Sequence, residues 1–237
     1  MNRGFLYGDG FFETMRIIDN QIPLLAFHLE RIGEAIEIYQ LQPSYTIDED
    51  FINAIKSNCE KNGILRINFF RDGHGKYLPD SNDLAFDYAF SPTNLPFFAP
   101  TSLDIVADLK NAPIAKGKIA LYQEPKPNVR WLTVKSLSSI FYVLAAKYKE
   151  EQSADYLLIQ NSDGNICEEL VSNLLLQTKE GLLTPSIKCG GVYGATLRFL
   201  LKNYGFDITE KAITLEDIET AEAVYSCKGS SGVIRIK

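Results

Sequence analysis

Apolar positions along this 237-residue chain follow two spacings, and the spacing changes from segment to segment. From about Leu24 to Tyr39 they recur at helical intervals, with Leu25, Leu29, Ile32 and Ile36 on one face, which predicts a helix. Ahead of it, glycines at 4, 8 and 10 lead into "FFETMRIID", whose alternation reads as a strand. The β-branched and aromatic runs "ILRINFFR" and "LAFDYAF" predict two more strands around the loop "DGHGKYLPDSND". "LDIVADL" reads as a strand, and after an irregular stretch ending in "EPKPN" so does Trp131–Val134, a short buried run stopping at Lys135. From Ile140 the pattern turns helical. "ADYLLIQ" and "ICEELVSNLLLQT" form a hairpin over "NSDGN", and "LLTP" follows the turn "KEG". Leu197, Leu200 and Leu201 predict a helix across "ATLRFLLKNYG", "ITLEDIETA" is a short helix, and "AVYSCKGSSGVIRI" is a strand, a Gly/Ser turn and a last strand. These elements predict an α/β fold of two domains, residues 1–98 and 99–237, parted near the proline-rich "SPTNLPFFAP" and meeting at the functional cleft.

Composition narrows the chemistry. No apolar run approaches the roughly 18 to 20 residues of a membrane span, and the start lacks a basic-then-apolar signal pattern. Four separated cysteines form no C-x-x-C pair, so the expectation is a cytoplasmic protein in a reducing compartment, with no metal site. A net charge of −6 without a basic tract argues against nucleic acid as a partner. The substrates expected are small molecules.

Lys135 is the position that packing does not explain. It closes an apolar run where a leucine would bury more surface, and a lysine there either reaches water along its stem or has a chemical task. Six segments decide between these: "RGFLYGDGFFETMRI", "FHLERI", "VKSLSSIFYVLA", "DGNICEELVSNLLL", "LLTP" followed by "GGVYGATLRFLL", and "GSSGVIRI". In this order and spacing the chain resembles the class IV, fold-type IV pyridoxal-phosphate enzymes, from Arg3 to Ile236. That family includes branched-chain and D-amino-acid aminotransferases and 4-amino-4-deoxychorismate lyase. Its members usually carry another strand or hairpin before the Gly-Asp-Gly segment, so the resemblance implies an N-terminal edge that is incomplete here.

The resemblance implies pyridoxal 5'-phosphate as cofactor and Lys135 as the Schiff-base lysine, whose neutral amine an apolar corner favours. It implies Glu168 as the acid partner of the ring nitrogen, with Glu169 on the opposite face of one strand; solvated hairpin carboxylates are the alternative. Ser172 and Asn173 fall where the family has supporting polar groups. Ala195 and Thr196 open a helix whose free N–H groups favour an anion, although Thr196 also suits a helix cap. Arg31 matches the family's phosphate clamp, and Gly229 and Ser230 its closing turn. On the substrate side fall Phe12, where D-amino-acid enzymes have Tyr, and His74 and Lys76, in a loop that in the family reaches a neighbouring subunit. The expected activity is amino transfer between a small α-amino acid and a 2-oxo acid by a homodimer. Aminodeoxychorismate lyase, and a relative that binds no cofactor, stand as alternatives.

Overall fold

The computed structural model describes residues 2–237. They divide into two compact units, one of residues up to Leu95 with Val134–Ser139, the other of Pro96–Thr133 with Ile140–Lys237.

The first unit contains α1 (Arg3–Tyr7), β1 (Gly10–Ile17), α2 (Leu25–Tyr39), α3 (Glu49–Lys56), β2 (Gly63–Arg71) and β3 (Leu84–Pro92). The three strands form an antiparallel sheet in the order β1-β2-β3. Strand alternation sends Phe11, Met15 and Ile17 to one face, where they join Leu65, Ile67 and Phe69. Ile32 and Ala35 of α2 and Ile52 and Ile55 of α3 close this core. Each of the buried Ile, Leu, Met and Phe side chains stabilises the unit by roughly 1.5–3 kcal/mol. Phe12, Thr14 and Arg16 point to the other face, with Phe12 opposite Asn68 and Thr14 opposite Arg66. The outer edge of β1 is covered by the returning segment. Phe12 N–H donates to the Lys135 carbonyl at 2.8 Å, Leu137 N–H donates to the Gly10 carbonyl at 2.9 Å, and Ser136 bridges Phe11.

The second unit contains α4 (Ile105–Leu109), β4 (Ile119–Leu121), α5 (Ile140–Glu151), β5 (Tyr156–Gln160), β6 (Ile166–Glu169), β7 (Asn173–Thr178) and β8 (Gly181–Pro185). After these come α6 (Ala195–Tyr204), β9 (Ile208–Lys211), α7 (Leu215–Thr220), β10 (Ala223–Lys228) and β11 (Gly232–Arg235). One sheet runs β4-β5-β6 and the other β11-β10-β7-β8-β9. Leu174 and Leu176 of β7 pack with Leu158 of β5 and Ile166 of β6, while Leu175 packs with Leu200 and Tyr204 of α6.

The mixed α/β class is as expected, and three local expectations are corrected. "LDIVADL" holds helix α4, because the Asp104 carboxylate caps the Ala107 N–H at 3.0 Å and starts a helical turn. Trp131–Val134 is not a strand: Arg130–Leu132 is a 3-10 turn, and Trp131 is 45% exposed. The run "ICEELVSNLLLQT" is two strands in different sheets, broken where the Glu169 carboxylate accepts from the Val171 N–H at 3.1 Å and the Ser172 hydroxyl at 2.9 Å. No helix among the described residues is long and apolar enough to cross a membrane.

Candidate active site

In the first unit Lys135 follows the 3-10 turn and lies half-buried on an irregular segment before α5 begins. That segment is stiffened on both sides. Tyr39 donates its hydroxyl to Ser136 Oγ at 2.6 Å, and Ser136 Oγ accepts the Ser138 N–H at 3.0 Å. Gly8, with φ of 65°, lies against Ser138, and a Cβ there would collide with it. The Lys135 ammonium lies 5.5 Å from the Phe12 ring centroid, while the Arg66 guanidinium covers the same ring at 3.6 Å. Phe12 therefore lies within reach of two cations.

Arg31 lies off the apolar stripe of α2 but is buried, with its Nη1 donating to Glu13 Oε1 at 2.8 Å. His28 Nδ1 meets the same oxygen at 2.8 Å, and His28 Nε2 is buried with no hydrogen-bond partner. Burial pushes the Glu13 carboxyl up. The Arg31 guanidinium, the His28 hydrogen bond and the Lys135 charge more than reverse this, leaving it below the usual carboxylate range. Glu13 is thus an ionised link between the cation of α2 and the lysine segment. Arg16 is also buried: its Nη2 donates to the Leu95 carbonyl at 2.8 Å, and its Nε and Nη1 have no partner. A buried guanidinium with two unpaired donors is suited to an anion.

His74 and Lys76 are exposed. Their loop is held through its backbone, because buried Arg3 donates to the carbonyls of His74, Gly75 and Lys76 at 3.3, 3.1 and 2.8 Å. Arg3 also pairs with Asp9 at 2.9 Å. Tyr77 and Leu78 beside them stand in solvent, as does Phe5 of α1.

In the second unit Glu168 and Glu169 are both buried, so neither is a solvated hairpin carboxylate. They have different partners. Glu168 Oε1 accepts from Lys126 Nζ and from the Tyr142 hydroxyl, each at 2.8 Å, and Oε2 accepts the Val192 N–H at 2.7 Å. Glu169 is held by Ser172, which in turn accepts from Ser226 Oγ at 2.8 Å. Burial raises the Glu169 carboxyl above the ordinary glutamate value, only partly offset by these hydrogen bonds.

Asn173 fixes the start of α6. Its Nδ2 donates to the Val192 carbonyl at 2.6 Å and its Oδ1 accepts the Gly194 N–H at 2.9 Å. Gly194 is the N-cap and supplies no side-chain cap; a Cβ on it would strike Asn173 Oδ1. Ala195 and Thr196 are the first helical residues, where N–H groups lack intrahelical acceptors. Thr196 does not cap the helix: its Oγ1 is buried without a hydrogen-bond partner. Gly229 and Ser230 lie in the turn between β10 and β11, and the buried, unpartnered hydroxyl of that turn is on Ser231. Two orphaned hydroxyls in one unit, one of them at a helix N-terminus, suit the oxygens of a phosphate.

Sequence reading missed Lys126, Tyr142, Ser231, Arg16 and Arg66. Only Lys126 had a local signal, standing between Pro125 and Pro127; both prolines favour extended backbone in the residue before them. The others become notable through partners far away in sequence.

A profile of the family described as amino-transferase class IV matches residues 10–237. An aminodeoxychorismate lyase of Bacillus subtilis is 28% identical over 233 residues, covering 94% of this chain and 75% of its own. A D-alanine aminotransferase of Staphylococcus epidermidis is 22% identical, covering 99% of this chain and 81% of its own. Among solved structures, the branched-chain amino acid aminotransferase of Escherichia coli superposes with a TM-score of 0.81 at 18% identity, covering all of this chain and 79% of that one.

Proposed function

We propose, since this chain belongs to the class IV aminotransferase family, that it is a pyridoxal-phosphate enzyme moving an amino group between a small α-amino acid and a 2-oxo acid. The observation carrying this reading is the buried Thr196 hydroxyl without a partner at the N-terminus of α6. Burying a hydroxyl unpaired costs about 1–3 kcal/mol, a cost that a bound phosphate oxygen removes. When bound, the cofactor supplies an electron sink for the charge left at the substrate Cα.

The residues of this chain do the rest. Lys135 supplies the amine that holds the cofactor and, once released, accepts and returns the Cα proton. Glu168 would stay ionised and accept a hydrogen bond from the protonated ring nitrogen through Oε2, which has acceptor capacity to spare. Thr196, Ser231 and the N–H groups of Ala195 and Thr196 take the phosphate, and Arg31 supplies it with a cation. Ser172 and Asn173 act one step back, holding Glu169 and the start of α6. Arg16 and Arg66 offer cations to substrate carboxylates, with Phe12 as the apolar wall between. His74 and Lys76 serve a neighbouring copy's substrate rather than their own.

Replacing Thr196 by valine tests the phosphate seat in two directions at once. The cofactor-free protein gains about 1 kcal/mol of stability, because an unpaired buried hydroxyl is gone, while pyridoxal-phosphate affinity falls about tenfold. Thermal melts and a cofactor titration read both effects. Unchanged affinity would remove Thr196 from the phosphate.

Release of pyruvate and p-aminobenzoate from aminodeoxychorismate is the second reading, favoured by the 28% identity to the Bacillus subtilis lyase. Purified protein loaded with cofactor is assayed against amino acid and 2-oxo acid pairs, and in parallel against aminodeoxychorismate. Turnover of the second alone would reverse the preference, and absence of cofactor uptake would leave the non-catalytic relative. A cytoplasmic homodimer is the working unit proposed. Phe5, Tyr77 and Leu78, the last two 90% and 84% exposed on the loop carrying His74 and Lys76, give it apolar contact surface. Sedimentation at micromolar concentration shows a dimer on this view, and a fully active monomer contradicts it.

A further inference from the structure

Lys126 is 1% exposed, an ammonium group wholly enclosed, and no step above uses it. A charge that deep is tolerated only when paired and hydrogen-bonded. Its delivery is built into the chain. Pro125 and Pro127 restrict the backbone on either side, and Lys126 is fastened to the β5 end by its N–H donating to the Gln160 carbonyl at 2.8 Å and by a bridge to Asn161. Its Nζ reaches Glu168 Oε1, 42 residues away in sequence, and lies 5.5 Å from the Tyr142 ring centroid.

Tyr142 comes from the first turns of α5 and donates to the same oxygen. Burial, with Glu168 beside it, drives the phenol far above its ordinary range, so it remains a donor at any working pH. Two further groups beside the carboxylate are uncharged. Val192 contributes its N–H, and Cys167 is kept as a neutral thiol, pushed up to about 12 by burial and by the Glu168 carboxylate. A carboxylate offers about four acceptor positions. Lys126 and Tyr142 fill Oε1 and Val192 takes one position on Oε2, so one position remains, on Oε2.

We propose that Lys126 is the built-in counter-charge that keeps Glu168 ionised and turned before any ring nitrogen is present, with Tyr142 fixing which oxygen stays open. This rests on the reading of Glu168 as the ring-nitrogen partner. Lys126 is a positioning residue: it touches Glu168 and acts through it. Without it, Glu168 would be a buried carboxylate with no cation against it, and such a group takes up a proton and turns from acceptor into donor.

The experiment uses cofactor-free protein with 13C-labelled glutamate side-chain carboxyls, the Glu168 signal being the one lost in Glu168→Gln. In Lys126→Met the pH at which Glu168 takes up its proton rises by about two units, a hundredfold tighter proton. Lys126→Arg, which restores the charge, brings the titration back to within about half a unit of the unsubstituted chain. A purely structural lysine would change the melting temperature and leave the titration in place, and an unchanged titration in Lys126→Met overturns the proposal. Should that variant fail to fold, Tyr142→Phe serves with the ion pair intact. An upward shift of less than tenfold in proton affinity supports the arrangement, and no shift rejects it. Because no cofactor is present, these outcomes are independent of cofactor uptake. A chain that binds no pyridoxal phosphate yet shows the Lys126 effect loses the proposed function and keeps the pair.

Discussion

Lys135→Ala is expected to lower turnover by at least about four orders of magnitude, or about 5.4 kcal/mol of barrier, and to abolish borohydride fixation of the cofactor to the chain. The variant should remain folded. What ties this segment to β1 is backbone, through the Lys135 carbonyl and the Leu137 N–H, and alanine keeps both. The neighbouring anchors, Ser136 on Tyr39 and Ser138 over Gly8, are likewise untouched. Only the side chain near Phe12 and Glu13 is lost. Initial rates with the loaded protein, and mass spectrometry of borohydride-treated peptides, check the two halves separately. Cofactor trapped on another lysine in the variant would sink the assignment.

Glu168→Gln is the second large effect. In the role proposed for Glu168, losing its charge removes the partner of a bound cofactor's ring nitrogen, and the chemical step is expected to slow about a hundredfold, or roughly 2.7 kcal/mol. The same change strands Lys126 as a buried, unpaired ammonium, so the cofactor-free protein also loses about 3 kcal/mol of stability. Rates must therefore be compared below the variant's melting range. Glu169→Gln behaves differently because Glu169 is held by the Ser172 hydroxyl and by backbone N–H groups. Its rate stays within about twofold, a difference of about 0.4 kcal/mol. Its mark is on stability. A carboxyl raised above the ordinary glutamate value of 4.5 by burial contributes stability below that value and loses it as pH rises through the raised one. The unsubstituted chain thus weakens between acid and neutral pH through this group, and Glu169→Gln lacks that loss. Its melting temperature at pH 8 should exceed the unsubstituted chain's by a few degrees, for about 1 kcal/mol removed. If the rate effects of the two substitutions were exchanged, the roles of the adjacent carboxylates would be exchanged with them.

Periodic segments were legible from the chain alone. The α2 helix runs Leu25–Tyr39 against an expectation of Leu24 to Tyr39, because its apolar stripe is long and regular. Short apolar runs were not. Trp131–Val134 has the composition of a strand, yet it turns, since four residues carry too little pattern to separate a turn from a strand. At "LDIVADL" a usable sign was present: an Asp directly before the apolar residues, which is how α4 is capped. The break after Glu169 depends on a side chain satisfying its own following backbone, and hydropathy does not register that. The site shows the same division. Local motifs nominate Lys135, Arg31, Glu168 and Thr196. Tyr142 and Ser231 are ordinary polar residues until folding buries them, one against a carboxylate 26 positions away and the other with no partner.

The segment that carries Lys135 also closes the open side of β1, with a consequence for how this gene can be cut and recombined. A fragment ending at Leu95 would contain all three strands of the first sheet, yet the Phe12 N–H and the Gly10 carbonyl would be bare along one margin. Bare margins of that kind capture strands from other molecules, so such a fragment should precipitate rather than fold as an independent module. Exchanging everything after residue 95 for the matching part of a relative would replace both the lysine and the border of a sheet left behind. Lys135 and the strand its segment borders are therefore constrained to be inherited together, although more than a hundred residues separate them in the reading frame.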